Sequence, residues 1–207
     1  MKVAILGGAF DPPHIGHYLV AQQVKEKLHM DKVWLMPCYT YFPEFPIKYS
    51  HINQAHLRLA MTTLCRTKNI SVSNFEYVWN KGSKTIQTLE KLTKTYPSHS
   101  FFWIIGSDNL DSFHRWDQWK KIIAKYNIIV FPRDTDFKTL EKRVQKAFHL
   151  RHIPANIIIV EGDLMVSSIS SSQIRKRIRA GLSVKQLVIP QVEKFIKDNK
   201  LYVSNKR

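Results

Sequence analysis

The chain has 207 residues, room for one large domain or two small ones at about 100–200 residues each. Hydrophobic residues at 44% and charged residues at 23% match ordinary globular usage and exclude wholesale disorder, while 7 Gly and 9 Pro exclude a collagen-like or low-complexity chain. The 32 Lys+Arg against 16 Asp+Glu leave +16, a surface that attracts polyanions, whether nucleotides, nucleic acid or anionic lipid. Two cysteines, Cys38 and Cys65, are too few for a disulfide scaffold, lack CxxC spacing and fit a reducing cytoplasm. The apolar run at the N-terminus is too short for a signal peptide, and no run approaches the ~18 apolar residues that cross a bilayer. A cytoplasmic protein without a membrane span is expected.

In chain order, residues 2–6 (KVAIL) predict a buried strand, followed by Val20, Ala21, Val24 and Leu28 at helical spacing. Residues 32–36 (KVWLM) predict a second strand, and the aromatic, proline-containing stretch 38–50 predicts a loop. Leu57, Ala60, Met61 and Leu64 predict a helix, 70–75 a third strand, and Ile86, Leu89, Leu92 and Tyr96 another helix stopped by Pro97. The second half repeats the rhythm: strand 101–105 (FFWII), helix 116–124, strand 127–131 (NIIVF), a helical face of Leu140, Val144, Ala147 and Phe148, and strand 156–160 (NIIIV). Helices at 171–180 and 190–199 close the chain. Strands alternating with helices predict an α/β fold, a Rossmann-like doubly wound parallel sheet with helices on both faces. No linker or charge block divides residues 1–207, so a single domain is expected, with 171–207 as its small C-terminal helical part.

In such sheets, ligands bind beyond the carboxyl ends of the strands. Three unusual clusters fall there, at 7–17, 106–108 and 161–175. The first, Gly7 to His17 (GGAFDPPHIGH), combines glycines that let backbone amides approach a ligand, a Pro12-Pro13 turn, and a helix start that attracts anions. His14 and His17, three residues apart, fall on one side of that helix start and suit a polyphosphate, as hydrogen-bond donors able to carry partial positive charge. A tight turn with two incidental histidines is the plainer alternative. No GxxxxGK[ST] or GxGxxG occurs, which removes a Walker loop and a dehydrogenase-type dinucleotide site. No HExxH or Cys cluster supports zinc, so no protein-held metal is expected. The second cluster, Ser167 to Arg175, places serines and Arg175 at a helix start, either as ordinary caps with a solvated basic face or as a phosphate clamp.

Together these residues resemble the nucleotidylyltransferases with an HxGH motif. Residues 7–17 are close to their GxFDPxHxGH, and Ile169 to Arg175 (ISSSQIR) resembles ISSTxIR, with Ser172 where threonine is usual. More narrowly, the chain resembles bacterial nicotinate-nucleotide adenylyltransferases. Residues 104–108 (IIGSD) match IIGxD, 113–116 (FHRW) match FxxW, 58–61 (RLAM) match RxxM, and 82–89 (GSKTIQTL) resemble SYTxxTL. The tail from Pro190 to Tyr202 resembles PxxVxxYIxxxxLY, so the likeness runs in order over nearly the whole chain. Two departures stand out. The usual PPHK loop is replaced by the longer 37–48 segment, where Lys48 is the basic residue, and Lys84 replaces a tyrosine.

The resemblance implies transfer of the adenylyl group of ATP, with Mg²⁺, to nicotinate mononucleotide, giving deamido-NAD and pyrophosphate. It implies ATP contacts from Gly8, Ala9, Phe10, His14 and His17, from Gly106 and Asp108, and from Ile169, Ser170, Ser171 and Arg175. His17, His14 and Arg175 are the expected catalytic residues. Phe10, Asp11, Lys48, Lys84, Thr85, Trp116 and Arg133 are expected around the mononucleotide, while a plain core tryptophan fits Trp103 and Trp119. Sister transferases that use nicotinamide mononucleotide, phosphopantetheine or a polyol phosphate compete with this reading. So does a basic nucleic-acid-binding module, although no RNA-binding signature accompanies the +16 charge. A homo-oligomer stays open.

Overall fold

The computed structural model describes residues 1–40, 53–79, 84–133 and 137–203. Its centre is β1 (Lys2–Gly8), flanked by β2 (Lys32–Pro37) and β4 (Ser100–Gly106). With β3 (Ile70–Val72), β5 (Asn127–Phe131) and β6 (Ile157–Ile159), they form a six-stranded sheet in the order β3-β2-β1-β4-β5-β6, every pairing parallel. The chain winds outward from β1 to β3, then returns beside β1 and winds the other way. That reversal leaves a crevice between the carboxyl ends of β1 and β4, where doubly wound sheets receive ligands. The Rossmann-like fold expected from the sequence is the one found.

Period-two alternation divides the core. Val3 and Ile5 of β1, Trp103 and Ile105 of β4, and Ile128 and Val130 of β5 face one side. There they meet α4 (Thr85–Thr95), α5 (Leu110–Phe113), α6 (Trp119–Lys125) and α7 (Phe137–Phe148) through Leu89, Phe113, Ile122 and Val144. Ala4, Leu35, Ile104 and Ile129 face the other side, covered by α1 (Ile15–Lys27), α2 (Ala55–Thr63), α8 (Ser171–Arg179) and α9 (Pro190–Asp198). Strands this apolar on both faces belong to a sheet covered on both sides. No helix among the described residues is long and apolar enough to cross a membrane.

Two expectations need correction. The third strand ends at Val72, not at residue 75. Beyond it, Ser73 Oγ accepts from the Phe75 amide and Asn74 O accepts from the Tyr77 and Val78 amides, which starts a short helix, α3 (Phe75–Trp79). Likewise the helix expected over 116–124 starts only at Trp119. Gln118 adopts φ 50°, in the left-handed region, and separates it from a 3₁₀ turn (Ser107–Asn109) and α5. Lys48 and most of the 38–50 stretch, with Gly82 and Ser83, lie outside the described residues.

Candidate active site

The crevice holds a cavity of about 400 Å³, lined by the β1 loop, the β4 exit, and the starts of α4 and α8. Gly7 and Gly106 make room for it. A Cβ on Gly7 would sit on the Trp103 ring, and one on Gly106 would collide with Asp108 Oδ1 and stand 2.8 Å from Arg133 Cδ. Of the residues expected on ATP, Gly8, Ala9, Phe10, His14, His17, Gly106, Asp108, Ser170, Ser171 and Arg175 line this one cavity. Ile169 contributes its carbonyl, which accepts from Arg133 Nη2 at 3.2 Å.

At the start of α1 the two imidazoles stack, with centroids 3.8 Å apart, and Phe10 packs on His17 at 4.7 Å. The His14 amide donates to His17 Nδ1 at 3.1 Å. Nδ1 is therefore the acceptor, and the proton of the neutral ring sits on Nε2. His14 is 5% exposed, and its Nδ1 has no partner among the described residues. Burial, then the Arg133 guanidinium, brings the His14 pKa down to about 3. Burial, His14 and Arg133 hold His17 well below the ordinary imidazole range. Both rings are neutral donors and acceptors at neutral pH, which corrects the expectation that they carry partial positive charge.

The positive charge stands beside them. Arg133, expected near the mononucleotide, lines the cavity and is bound to Asp108 Oδ2 at 3.1 Å and to the carbonyls of Ser167 and Ile169 at 3.4 and 3.2 Å. It stands with the residues expected on ATP because its strand exit neighbours that of β4, where Ser107 Oγ accepts the Arg133 amide.

Serine and arginine from α8 reach into the β1 loop. Ser170 caps α8, accepting from the Gln173 amide at 3.3 Å. Ser171 Oγ donates to Pro12 O at 2.8 Å, and Arg175 Nη1 donates to Asp11 O at 2.7 Å. Arg175 Nη2 donates to Ser172 Oγ at 3.2 Å, while its buried Nε has no partner among the described residues. Asp11 itself is corrected. Its carboxylate is 0% exposed, accepts from Asn53 and Tyr202, and does not line the cavity.

At the opposite wall are Thr85, at the first turn of α4, and Trp116, whose ring packs on Phe113 at 4.7 Å. Lys84 caps α4 but lies outside the cavity wall. Its Nζ stands 3.5 Å from Asp117 Oδ2, which does line it.

Two positioning residues carry no role in the sequence reading: Arg58, placed there only within the RxxM match, and Glu76. Arg58, 0% exposed, donates Nη1 to Ala9 O at 2.9 Å, Nη2 to Tyr39 O at 3.1 Å and Nε to Asn53 O at 3.1 Å. The signal that could have found its role is its spacing of three and four residues to Met61 and Thr62, which puts it on the helix face that the structure buries. Buried Glu76 accepts from the Tyr39 amide at 3.1 Å and from Thr88 Oγ1 at 2.7 Å, tying the β2 exit to α4. Nothing in the sequence marked Glu76, since it sits in the unexpected helix α3.

A cytidylyltransferase-like family model matches residues 5–177. A protein of Shewanella pealeana named a probable nicotinate-nucleotide adenylyltransferase is 34% identical, over 98% of this chain and 96% of its own length. One of the same name from Exiguobacterium sibiricum is 32% identical over 99% and 100%. Among solved structures, a Plasmodium falciparum nicotinic acid mononucleotide adenylyltransferase complexed with NaAD has a TM-score of 0.74, at 19% identity over 97% of both chains. That last likeness speaks for the fold alone. With a family model over most of its length and relatives this similar from end to end, the chain belongs to the cytidylyltransferase-like family, on the branch of the nicotinate-nucleotide adenylyltransferases.

Proposed function

We propose that residues 1–207 act as one unit that transfers the adenylyl group of ATP to nicotinate mononucleotide, releasing pyrophosphate and deamido-NAD for NAD biosynthesis. One observation carries the proposal. A single cavity at the β1/β4 reversal joins the paired imidazoles, the Gly106–Asp108 turn and the α8 start to a second wall bearing Thr85 and Trp116. Membership of the one-unit proposal extends to the C-terminal helices, because Val192 and Ile196 share a core cluster with β1 and β2. A cytoplasmic setting is part of the proposal and rests on the low cysteine content.

The 5′-phosphate of the mononucleotide, with a second pKa near ~6, is already a dianion at neutral pH and needs no general base. One of its oxygens attacks the α-phosphorus in line, and the bond from that phosphorus to the bridging oxygen breaks as pyrophosphate departs. What the protein supplies is placement and electrostatic stabilisation. His17 donates Nε2–H to the α-phosphate, and His14, stacked on it, receives the neighbouring phosphate oxygens. Arg175, Ser170, Ser171 and the free amides at the α8 start hold the β- and γ-phosphates, with Arg133 now assigned beside them. Gly8, Ala9 and Phe10 bring backbone amides to the nucleotide, while Asp108, beside Gly106, accepts from the ribose hydroxyls. Mg²⁺ would enter with ATP as part of the substrate and would supply positive charge to the triphosphate. Trp116 stacks on the pyridine, and Thr85 with the α4 amides meets its carboxylate. Phe10 closes the acceptor side, and Lys48 is proposed as the basic residue for the acceptor phosphate.

Lys84 sharpens the acceptor question. A cation at the α4 start favours the nicotinate anion, but Asp117 shares its charge and the pair is partly exposed. Lys84→Tyr is therefore expected to lower the nicotinate-to-nicotinamide ratio of kcat/KM by about two- to fivefold, the value of an exposed charge contact. An unchanged ratio assigns the selectivity to the helix amides alone.

The direct test is pyrophosphate release with ATP and Mg²⁺ on nicotinate and nicotinamide mononucleotides, with chromatography of the dinucleotide. Turnover preferring nicotinate is expected. Preference for nicotinamide moves the chain to the sister activity, and silence with both overturns the acceptor assignment.

A further inference from the structure

The buried Asp11 carboxylate is a junction of three distant segments. Tyr202 Oη donates to Oδ1 at 2.7 Å, Asn53 Nδ2 donates to the same oxygen at 3.0 Å, and the Asn53 amide donates to Oδ2 at 3.2 Å. Arg175 Nη1 stands 3.9 Å from Oδ2 and bonds the Asp11 carbonyl. Three residues further on, the His14 amide holds Nδ1 of His17 and so fixes where its Nε2–H is presented. Tyr202 comes from the far end of the chain, behind buried Leu201. Its φ of 65° is left-handed, a conformation that a tyrosine keeps only where its surroundings over-determine it. Burial and the Asp11 charge raise the pKa of the phenol far above its ordinary value, so it stays a proton donor at every working pH.

We propose that Tyr202 is a positioning residue for adenylyl transfer: by donating to Asp11 it fixes the 11–14 segment and, through the His14 amide, the orientation of His17. The proposal rests on the function proposed above. It makes the C-terminal tail part of the site's framework, although no described tail residue lines the cavity.

The test uses Tyr202→Phe in the full chain, which keeps the ring and removes only the donor. Expected is a fall in kcat of about tenfold, the worth of one hydrogen bond to a charged group felt in the transition state, with KM for both substrates within about twofold. In ¹⁵N spectra, His17 is expected to pass from the Nε2–H tautomer alone to a mixture of tautomers. Asn53→Ser, at a half-buried position, removes the second donor from the same oxygen and is expected to act in the same direction with about a threefold loss. It decides the matter if Tyr202→Phe does not fold. A lowered melting temperature with unchanged kcat and an unchanged His17 spectrum overturns the proposal and leaves Tyr202 a tail anchor. Should the wild-type chain transfer no adenylyl group, the function proposed above fails, while the imidazole spectrum still reports whether Tyr202 governs His17.

Discussion

Replacing His17 by alanine is expected to lower kcat by about 10²–10³-fold while leaving KM for ATP and the mononucleotide nearly unchanged, the pattern of a lost donor aimed at transition-state charge. The reason is local. The Nδ1 of His17 is occupied by the His14 amide, the ring packs against both His14 and Phe10, and Nε2–H is the donor that the proposed function aims at the nucleotide. The pH profile separates this role from a charge effect. Because burial, His14 and Arg133 hold His17 well below 6.5, kcat/KM is expected to stay level from about pH 8 down to about pH 6.5. It then falls near pH ~6 as the acceptor phosphate takes up its second proton. A His17→Ala variant should keep that profile at a lower level. If its kcat stays within about threefold of wild type, the donor role is lost and His17 only secures the loop.

Arg58→Leu is expected to cost about 3–5 kcal/mol of folding stability, near the upper end for single substitutions. The guanidinium satisfies carbonyls from three segments, Ala9 in the glycine loop, Asn53 ahead of α2 and Tyr39 after β2, and leucine leaves all three without their donor. At about 2–4 °C per kcal/mol for a chain of this size, the melting temperature should drop by roughly 6–20 °C. Ligand affinity should fall too, since the Ala9 carbonyl fixes the loop whose amides are proposed to meet the nucleotide. Chemical denaturation measures the first effect. A loss under about 1 kcal/mol would mean that water replaces the side chain at those carbonyls, contrary to the buried geometry.

Both predictions turn on contacts between segments far apart in sequence, and here the limit of sequence reading becomes visible. The strands at 2–6, 101–105 and 127–131 were legible because a sheet covered on both faces demands continuous apolar runs, and the HxGH loop because glycines, prolines and histidines rarely cluster without a cause. The third strand was overread. Ser73 and Asn74 could continue a strand or cap a helix, and only the hydrogen bonds they make in the fold decide. The stretch at 116–124 has apolar spacing fit for one helix, yet Gln118 breaks it so that Trp116 turns to the cavity.

The site shows the same division. Composition, the order of elements and the three clusters by themselves determined an α/β fold and the rim on which those clusters lie, while the family came from the likeness of the motifs to known ones. They did so because strand periodicity and backbone-close glycines are local properties. Which charged groups stand free at the cavity and which are bound elsewhere was decided by tertiary structure alone. Asp11 is consumed by Tyr202 and Asn53, Arg133 stands with Asp108 and the imidazoles, and Lys84 is shared with Asp117. A charge's role depends on its nearest opposite charge and on the water it has lost, and both are set by residues that only folding brings within 4 Å.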